Sequence, residues 1–261
     1  MEPRDPRQSF APVAEKYLTS APHAKPDALL ALAERVGKTP GTVLDVGTGA
    51  GHTAYALSRV AEKVIAVDIT PEMLAIVSRE LEKRGLDNIE TCLAAADSLP
   101  FENGSMAGVA TRLAAHHFPD VEAFVAESQR VTSPGGWLLI VDTIGPEDPQ
   151  TAVAVDRFEA KRDPSHVHDL SVSEWSAMVE SNGYRIEWVD TARKTLELED
   201  WMARMEVPEP IRAELRQELR GSLAGLRTYL NPQPGPPATF DLWEMTLFAR
   251  LVDSQSPLTT S

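Results

Sequence analysis

The segment that most restricts this chain is Val43-Leu44-Asp45-Val46-Gly47-Thr48-Gly49-Ala50-Gly51. An apolar run leads into glycines at 47, 49 and 51, and helical spacing follows at Ala54, Leu57 and Ala61. Glycines at those points let the backbone turn sharply and come close to a ligand. The strand–turn–helix unit then recurs. Val64–Asp68 reads as a second buried strand, Thr70 as a helix cap and Pro71 as the first helical residue, where a missing N–H costs nothing. Leu74, Val77 and Leu81 form the inner face of that helix, and Gly85 closes it. Ile89–Leu93, Ala107–Thr111 and Trp137–Asp142 read as further strands, with a helix over Val121–Val131. Alternation of this kind predicts an α/β fold: a doubly wound, mostly parallel sheet with helices on both faces.

The flanks read differently. Phe10, Val13, Ala14, Tyr17 and Leu18 make one apolar helical stripe with Ser9 as its cap, and a second helix follows Pro26. Beyond Asp142, Ala152–Lys161 reads as helix and Arg162–His166 as loop. Ser171 and Glu174 form a capping box, and Asn182-Gly183 ends that helix. Tyr184, Ile186 and Trp188 alternate with charged residues as a strand, and 197–228 reads as helix. Four prolines exclude regular structure from Asn231–Ala238, and Trp243–Ala249 alternates as a final, antiparallel strand. The expected organisation is a single domain over 1–252. Within it lie N-terminal helices acting as a lid (1–40), a ligand-binding core (42–142), and an acceptor-side region (150–240) with a helical insertion before the last strand. Residues 253–261 are expected to form a flexible tail.

Composition excludes several classes. Asp and Glu outnumber Lys and Arg by 39 to 25, a net charge of −14, which opposes binding to nucleic acid or to anionic membranes. One cysteine, Cys92, cannot form an internal disulfide or a multi-cysteine metal centre. MEPRDPRQSF lacks an apolar leader, and no stretch reaches the ~20 apolar residues of a membrane span, so the expectation is a cytoplasmic protein.

The glycine loop alone fits a dinucleotide pyrophosphate site, but the third fingerprint glycine is replaced by His52. Asp45, inside the first strand, suits a cationic ligand better than a pyrophosphate. Asp68 ends the second strand 21 residues after Gly47, where a carboxylate can accept both hydroxyl protons of a ribose. Asp97 follows the third strand, placed to accept from an adenine amine. Singly, each is an ordinary solvated strand-end residue, and the glycines an ordinary tight turn. Together, three acids at successive strand ends share the ligand-binding edge of such a sheet.

VLDVGTGAGHTA, VIAVDITPEML, AAADSLPFENGSMAGVATRLAAHHFPD and SPGGWLLIVD resemble, in order, the motifs of class I S-adenosylmethionine-dependent methyltransferases. The branch resembled is the ubiquinone/menaquinone-biosynthesis type (methyltransferase type 11), and RDPSHVHDLSVSEW is similar to a narrower bacterial subgroup. The resemblance implies a Rossmann-like fold, S-adenosylmethionine as cofactor and S-adenosylhomocysteine as product. It implies Asp45, Gly47 and Gly49 around the methionyl part, and Asp68 on the ribose. Ile69 and Met73 would pack on the adenine, Asp97 would hold its amine, and Ala96 and Ser98 would frame it. Arg112 would lie near the transferable methyl, and Tyr17 would fold over the cofactor.

The acceptor is less constrained. No Pro-Pro-Tyr/Phe motif follows the fourth strand, where Arg112-Leu113-Ala114-Ala115 stands, and Cys92 alone serves neither cytosine-C5 nor arsenic chemistry. A small molecule methylated at oxygen or carbon is expected. His116 and His117 are candidate general bases, since imidazole is part-neutral at pH 7. The alternative is a helix-entry pair that packs or bonds the backbone. His166 and His168, in a loop, either reach the same cleft or, more simply, stay at the surface, and no metal site is expected, because no carboxylate–histidine spacing on one helix supports it. Trp175, Trp188, Trp201, Trp243, Phe158 and Phe240 either wall an apolar pocket or, more simply, fill cores. A non-catalytic cofactor-binding protein and an NAD-dependent oxidoreductase stay open as alternatives, and oligomeric state is left open.

Overall fold

Near-continuous burial along the central strands builds the centre of the molecule, a computed structural model describing residues 4–18, 26–221 and 224–253. The strands are β1 (Thr39–Val46), β2 (Ala61–Asp68), β3 (Ile89–Leu93), β4 (Met106–Arg112), β5 (Thr132–Ile144), β6 (Tyr184–Glu197) and β7 (Thr239–Leu251). Their order is β3-β2-β1-β4-β5-β7-β6. The five from β3 to β5 are parallel, and β7 runs antiparallel to both β5 and β6. Leu44, Val46, Val67, Val109, Leu138 and Ile140 point into one layer, against Phe124, Val125 and Trp175. Val43, Val64, Ala66, Ala110, Leu139 and Val141 point into the other, against Ala54, Leu57 and Val77. The doubly wound, mostly parallel sheet is therefore the observed fold. Its strand order reverses between β1 and β4, the point where such sheets bind ligands.

Local details depart from the sequence reading where side chains found other partners. The N-terminal stripe is not one helix. Pro12 has no N–H to continue the ladder, and the segment runs as helix Pro6–Phe10, a 3-10 turn Ala11–Val13 and helix Ala14–Leu18. Its cap is Asp5, which accepts from the Arg7 N–H, while Ser9 is buried. Thr70 does occupy the N-cap of Pro71–Arg84, but its hydroxyl bonds Asp68 instead of the helix. Gly85 closes that helix in the left-handed region, at φ 63°. The capping box of Ser171 and Glu174 is formed on both sides.

The C-terminal half differs most. β6 extends to Glu197, well beyond the apolar alternation at its start, because its charged second half pairs along β7 through Glu197↔Thr239. The helical stretch is three helices, Leu198–Arg204, Glu209–Gly221 and Ala224–Leu230. With helix Pro149–Arg162 they enclose a separate apolar cluster that includes Phe158, Trp201 and Phe240. Phe158 and Trp201 stack with ring centroids 5.2 Å apart. The side chain of Tyr17 and residues 254–261 lie outside the described residues.

Candidate active site

A cavity of about 620 Å³ opens at the carboxyl ends of β1, β2 and β4. The glycine loop forms its floor. At Gly47, φ 71°, an added Cβ would stand 2.5 Å from the Ala114 Cβ, so only glycine lets the loop after β4 come this close. At Gly49, φ 51°, an added Cβ would meet nothing within 4 Å and would project into open space. Asp68 secures this turn. Its Oδ2 accepts from the Gly49 N–H at 2.8 Å and its Oδ1 from the Thr70 N–H at 2.9 Å. Burial pushes the Asp68 carboxyl above its ordinary value, against those same hydrogen bonds. Ile69, the buried Met73, Ala96 and Asp97 continue the wall. Asp97 is exposed, and Ser98 follows it outside the cavity lining.

Asp45 stands one step behind the wall, only 1% exposed, and accepts from the Thr48 hydroxyl at 2.6 Å. Burial pushes its pKa up to about 6, with Thr48 and the Arg112 guanidinium pulling the other way. Arg112 lines the cavity, donates from Nε to Thr53 Oγ1 at 2.9 Å, and is itself lowered by burial.

The opposite wall is built from three distant segments. Phe10 packs edge-on to His117, ring centroids 4.8 Å apart. The Arg4 N–H donates to the Pro164 carbonyl at 2.7 Å, and the Val167 N–H to the His116 carbonyl at 2.8 Å. The N-terminal segment, the loop after β4 and the 163–171 loop are thereby tied together around the cavity.

The two histidines are treated differently. His117 lines the cavity and donates Nδ1–H to the Ser165 carbonyl at 3.2 Å; burial and the neighbouring His116 charge lower its pKa to about 3, leaving it neutral. His116 is absent from the lining and donates Nδ1–H to Asp142 Oδ1 at 2.5 Å. Burial opposes its charge, but the Asp142 carboxylate outweighs this and holds its pKa up to about 10.

The family model described as "Methyltransferase domain" matches residues 44–140. The chain is 39% identical over 166 residues to "Uncharacterized methyltransferase YcgJ" of Bacillus subtilis, covering 64% of this chain and 66% of that one. The crystal structure of YcgJ superposes with a TM-score of 0.83 and 30% identity, over 87% of this chain and all of that chain. YafE of Escherichia coli is 32% identical over 183 residues, 70% of this chain and 88% of that one. The chain belongs to the class I S-adenosylmethionine-dependent methyltransferases.

As such a methyltransferase it uses S-adenosylmethionine, and the wall from Gly47 to Asp97 fits that group. It offers an open cradle at Gly49, acceptor oxygens at strand ends and the apolar faces of Ile69 and Met73. The aromatic residues of the second half do not line the cavity of this methyltransferase. Phe158, Trp201, Phe240 and Trp175 are core, Trp188 stacks on Phe248, and Trp243 lies under Arg193.

The expectation of surface-loop histidines at 166 and 168 is corrected. His166 is 4% exposed and His168 half-buried, because Asp156 on helix Pro149–Arg162 draws the loop inward. It accepts from His166 Nε2 at 3.0 Å, His168 Nδ1 at 2.6 Å and the Asp169 N–H at 3.0 Å. Sequence reasoning missed Phe10 and Val167 on this wall, and Asp142 and Asp156 behind it. Asp142, the acid ending the fifth strand, carried the one signal that could have been used, since it repeats the strand-end pattern of Asp45 and Asp68. Among the described residues no helix is long and apolar enough to cross a membrane.

Proposed function

We propose that this methyltransferase moves the methyl group of S-adenosylmethionine to an oxygen or carbon of a small-molecule acceptor bound in the same cavity. The observation that carries this reading is one enclosed space that has a strand-end cradle on one side and His117, Phe10 and Val167 on the other. Its volume, about 620 Å³, falls in the range of small-molecule sites. Over 107 residues the chain is 36% identical to a demethylmenaquinone methyltransferase of Thermus thermophilus, of which it spans about half (48%). That relative's small-molecule acceptor supports one here too. Residues 42–142 would hold the cofactor, 1–40 would act as the lid and 150–240 would serve the acceptor, all within one domain over 1–252 and with 253–261 as a tail.

When bound, the cofactor supplies an electrophilic methyl on a sulfonium. The chain's own part is positioning, which can contribute ~7–11 kcal/mol when reacting atoms are held in line. Asp68, which already accepts from the Gly49 and Thr70 N–H groups and from the Thr70 hydroxyl, would take the ribose hydroxyls as that hydroxyl turns away. Asp97 takes the adenine amine beside Ala96 and Ser98, with Ile69 and Met73 against the ring. Gly47 and Gly49 admit the methionyl part, Asp45 faces it through Thr48, and Arg112 borders the methyl. Tyr17, from the lid, would cover it.

His117 is the member of the histidine pair able to take a proton. It is uncharged and on the wall, and with Nδ1–H committed to Ser165 its Nε2 lies 3.9 Å from Asp163 Oδ2, a carboxylate that favours the proton it would take. His116 already holds its proton against Asp142 and acts as the fixed neighbour. We expect His117→Ala to lower turnover by ~10²–10⁴-fold, the usual scale of general-base help, with S-adenosylhomocysteine affinity nearly unchanged. The acceptor is found first, by screening a metabolite extract for a one-methylene mass gain. Calorimetry with S-adenosylhomocysteine and NAD runs in parallel. NAD binding in preference to the former would overturn the assignment, and a loss below tenfold in both His116→Ala and His117→Ala would return both histidines to packing.

A further inference from the structure

Behind the acceptor wall the structure holds a buried set of donor atoms that nothing in the methyl-transfer reading uses. Both carboxylate oxygens of Asp169, a residue only 1% exposed, have no hydrogen-bond partner, and neither does Nδ1 of His166, 4% exposed. Glu159 Oε1, also buried, is likewise unpartnered, and its other oxygen lies 4.0 Å from His166 Nδ1. Buried polar atoms are nearly always bonded, and a lone buried carboxylate costs several kcal/mol. His166 Nε2 and His168 Nδ1 are already committed to Asp156, so neither of those N–H groups serves Asp169.

The geometry points to a divalent first-row transition cation held by Asp156, His166 and Asp169. One ligand atom from each lies within 4.8 Å of the others. Metal–nitrogen and metal–oxygen bonds of about 2.0–2.2 Å in a tetrahedral set put donors about 3.3–3.6 Å apart, so side-chain rotations that draw the widest pair in by roughly an ångström complete the set. One imidazole and two carboxylates suit zinc or manganese better than calcium, which takes oxygen alone. The expectation of no metal site rested on spacing along a single helix. Here the ligands come from helix Pro149–Arg162 and from the loop that carries Val167, so the pattern is invisible to that test. An ion here would fasten the loop bearing Val167 to that helix and so fix one wall of the cavity. This inference stands apart from the acceptor assignment, since it needs no turnover to test.

The test uses tag-free full-length protein, stripped with chelator and titrated with Zn²⁺, Mn²⁺ or Co²⁺ alone. One ion per chain is expected, with a rise in Tm reversed by chelator. Asp169→Asn and His166→Gln should each weaken binding by at least tenfold. If either variant fails to fold, the visible d–d absorption of Co²⁺ on the wild-type chain decides. A band saturating at one equivalent, competed away by Zn²⁺, supports the site. Absence of stoichiometric binding by the wild type, or unchanged binding in a folded Asp169→Asn, overturns it.

Discussion

Asp45 and Asp142 lie near the carboxyl ends of β1 and β5 and are each 1% exposed, yet their carboxyls move in opposite directions. Asp45 is pushed up to about 6 by burial, with a neutral hydroxyl as its closest partner. Asp142 is equally buried, but the His116 imidazolium and the N–H groups around it hold its pKa below the ordinary carboxylate range. Four donors converge on it: His116 Nδ1 and the Thr143 N–H on Oδ1, and the Ala115 and His116 N–H groups on Oδ2. Partners, not depth, decide whether a buried carboxylate is charged. Asp45 belongs to the glycine turn beneath the cavity, and Asp142 is satisfied within the protein.

The largest effect should come from breaking the satisfied pair. In Asp142→Asn an amide N–H₂ would face donors, and His116 would lose its counter-charge. Removing one partner of a buried pair costs about 3–5 kcal/mol, or roughly 6–20 °C in Tm at about 2–4 °C per kcal/mol. Asp45→Asn keeps an oxygen for Thr48 and should lower Tm by only a few degrees. Equal losses in differential scanning calorimetry would dissolve the contrast. The pH dependence has a defined sign. The folded pKa of His116 is raised from 6.5 to about 10, so its contribution is complete below 6.5 and fades as pH rises through 10. At the acid end the pair fails as pH falls through the lowered Asp142 value. Wild type should lose stability on the alkaline limb, and Asp142→Asn should lack that limb.

The same contrast explains what was legible in the sequence. Gly47, Gly49 and Asp68 sit in strand–turn–helix units whose parts are near neighbours in the chain, so spacing placed them on one edge, whereas Met73 was reached only through the family resemblance. β1, β2, β4 and β5 were readable for the same reason, because buried parallel strands are short apolar runs bounded by turns. The other wall depends on separations no periodicity encodes. Asp142 meets His116 across 26 residues, His117 meets Ser165 across 48, and Arg4 meets Pro164 through backbone alone. Likewise the second half of β6 is Thr191–Glu197, polar and exposed, and only its pairing with β7 makes it a strand. Histidines in a polar loop look like surface residues until Asp156, on another element, is known to face them.

Asp68 tests the cradle more directly than Asp45, at a smaller expected size than the Asp142 change. Asp68→Ala removes two charge-assisted acceptors for the ribose, each worth about 1.5–3 kcal/mol, and leaves the Gly49 and Thr70 N–H groups open. At least a tenfold loss of S-adenosylhomocysteine affinity by calorimetry is expected, with a cooperative melting transition retained. Unchanged affinity would mean that the ribose lies elsewhere, and the comparison would then concern two structural carboxylates.

The smallest effect concerns the charge that Asp45 keeps in reserve. With a pKa of about 6, its carboxyl is half protonated at pH 6 and nearly all ionised at pH 8. S-adenosylmethionine carries a sulfonium charge and S-adenosylhomocysteine does not, while both share the same amine, carboxylate, ribose and adenine. Dividing one affinity by the other cancels every shared titration and leaves the response to the sulfonium. If Asp45 meets that charge through Thr48, the cation favours the ionised carboxyl and its binding expels the proton. The preference for S-adenosylmethionine is then complete above pH 6 and lost as pH falls through it. Linkage for a half-ionised group gives about a twofold lower ratio at pH 6 than at pH 8. Asp45→Asn should give a ratio flat in pH and lower throughout. A wild-type ratio equally flat would show that Asp45 only braces the glycine loop, and that the two buried aspartates differ in partners but not in purpose.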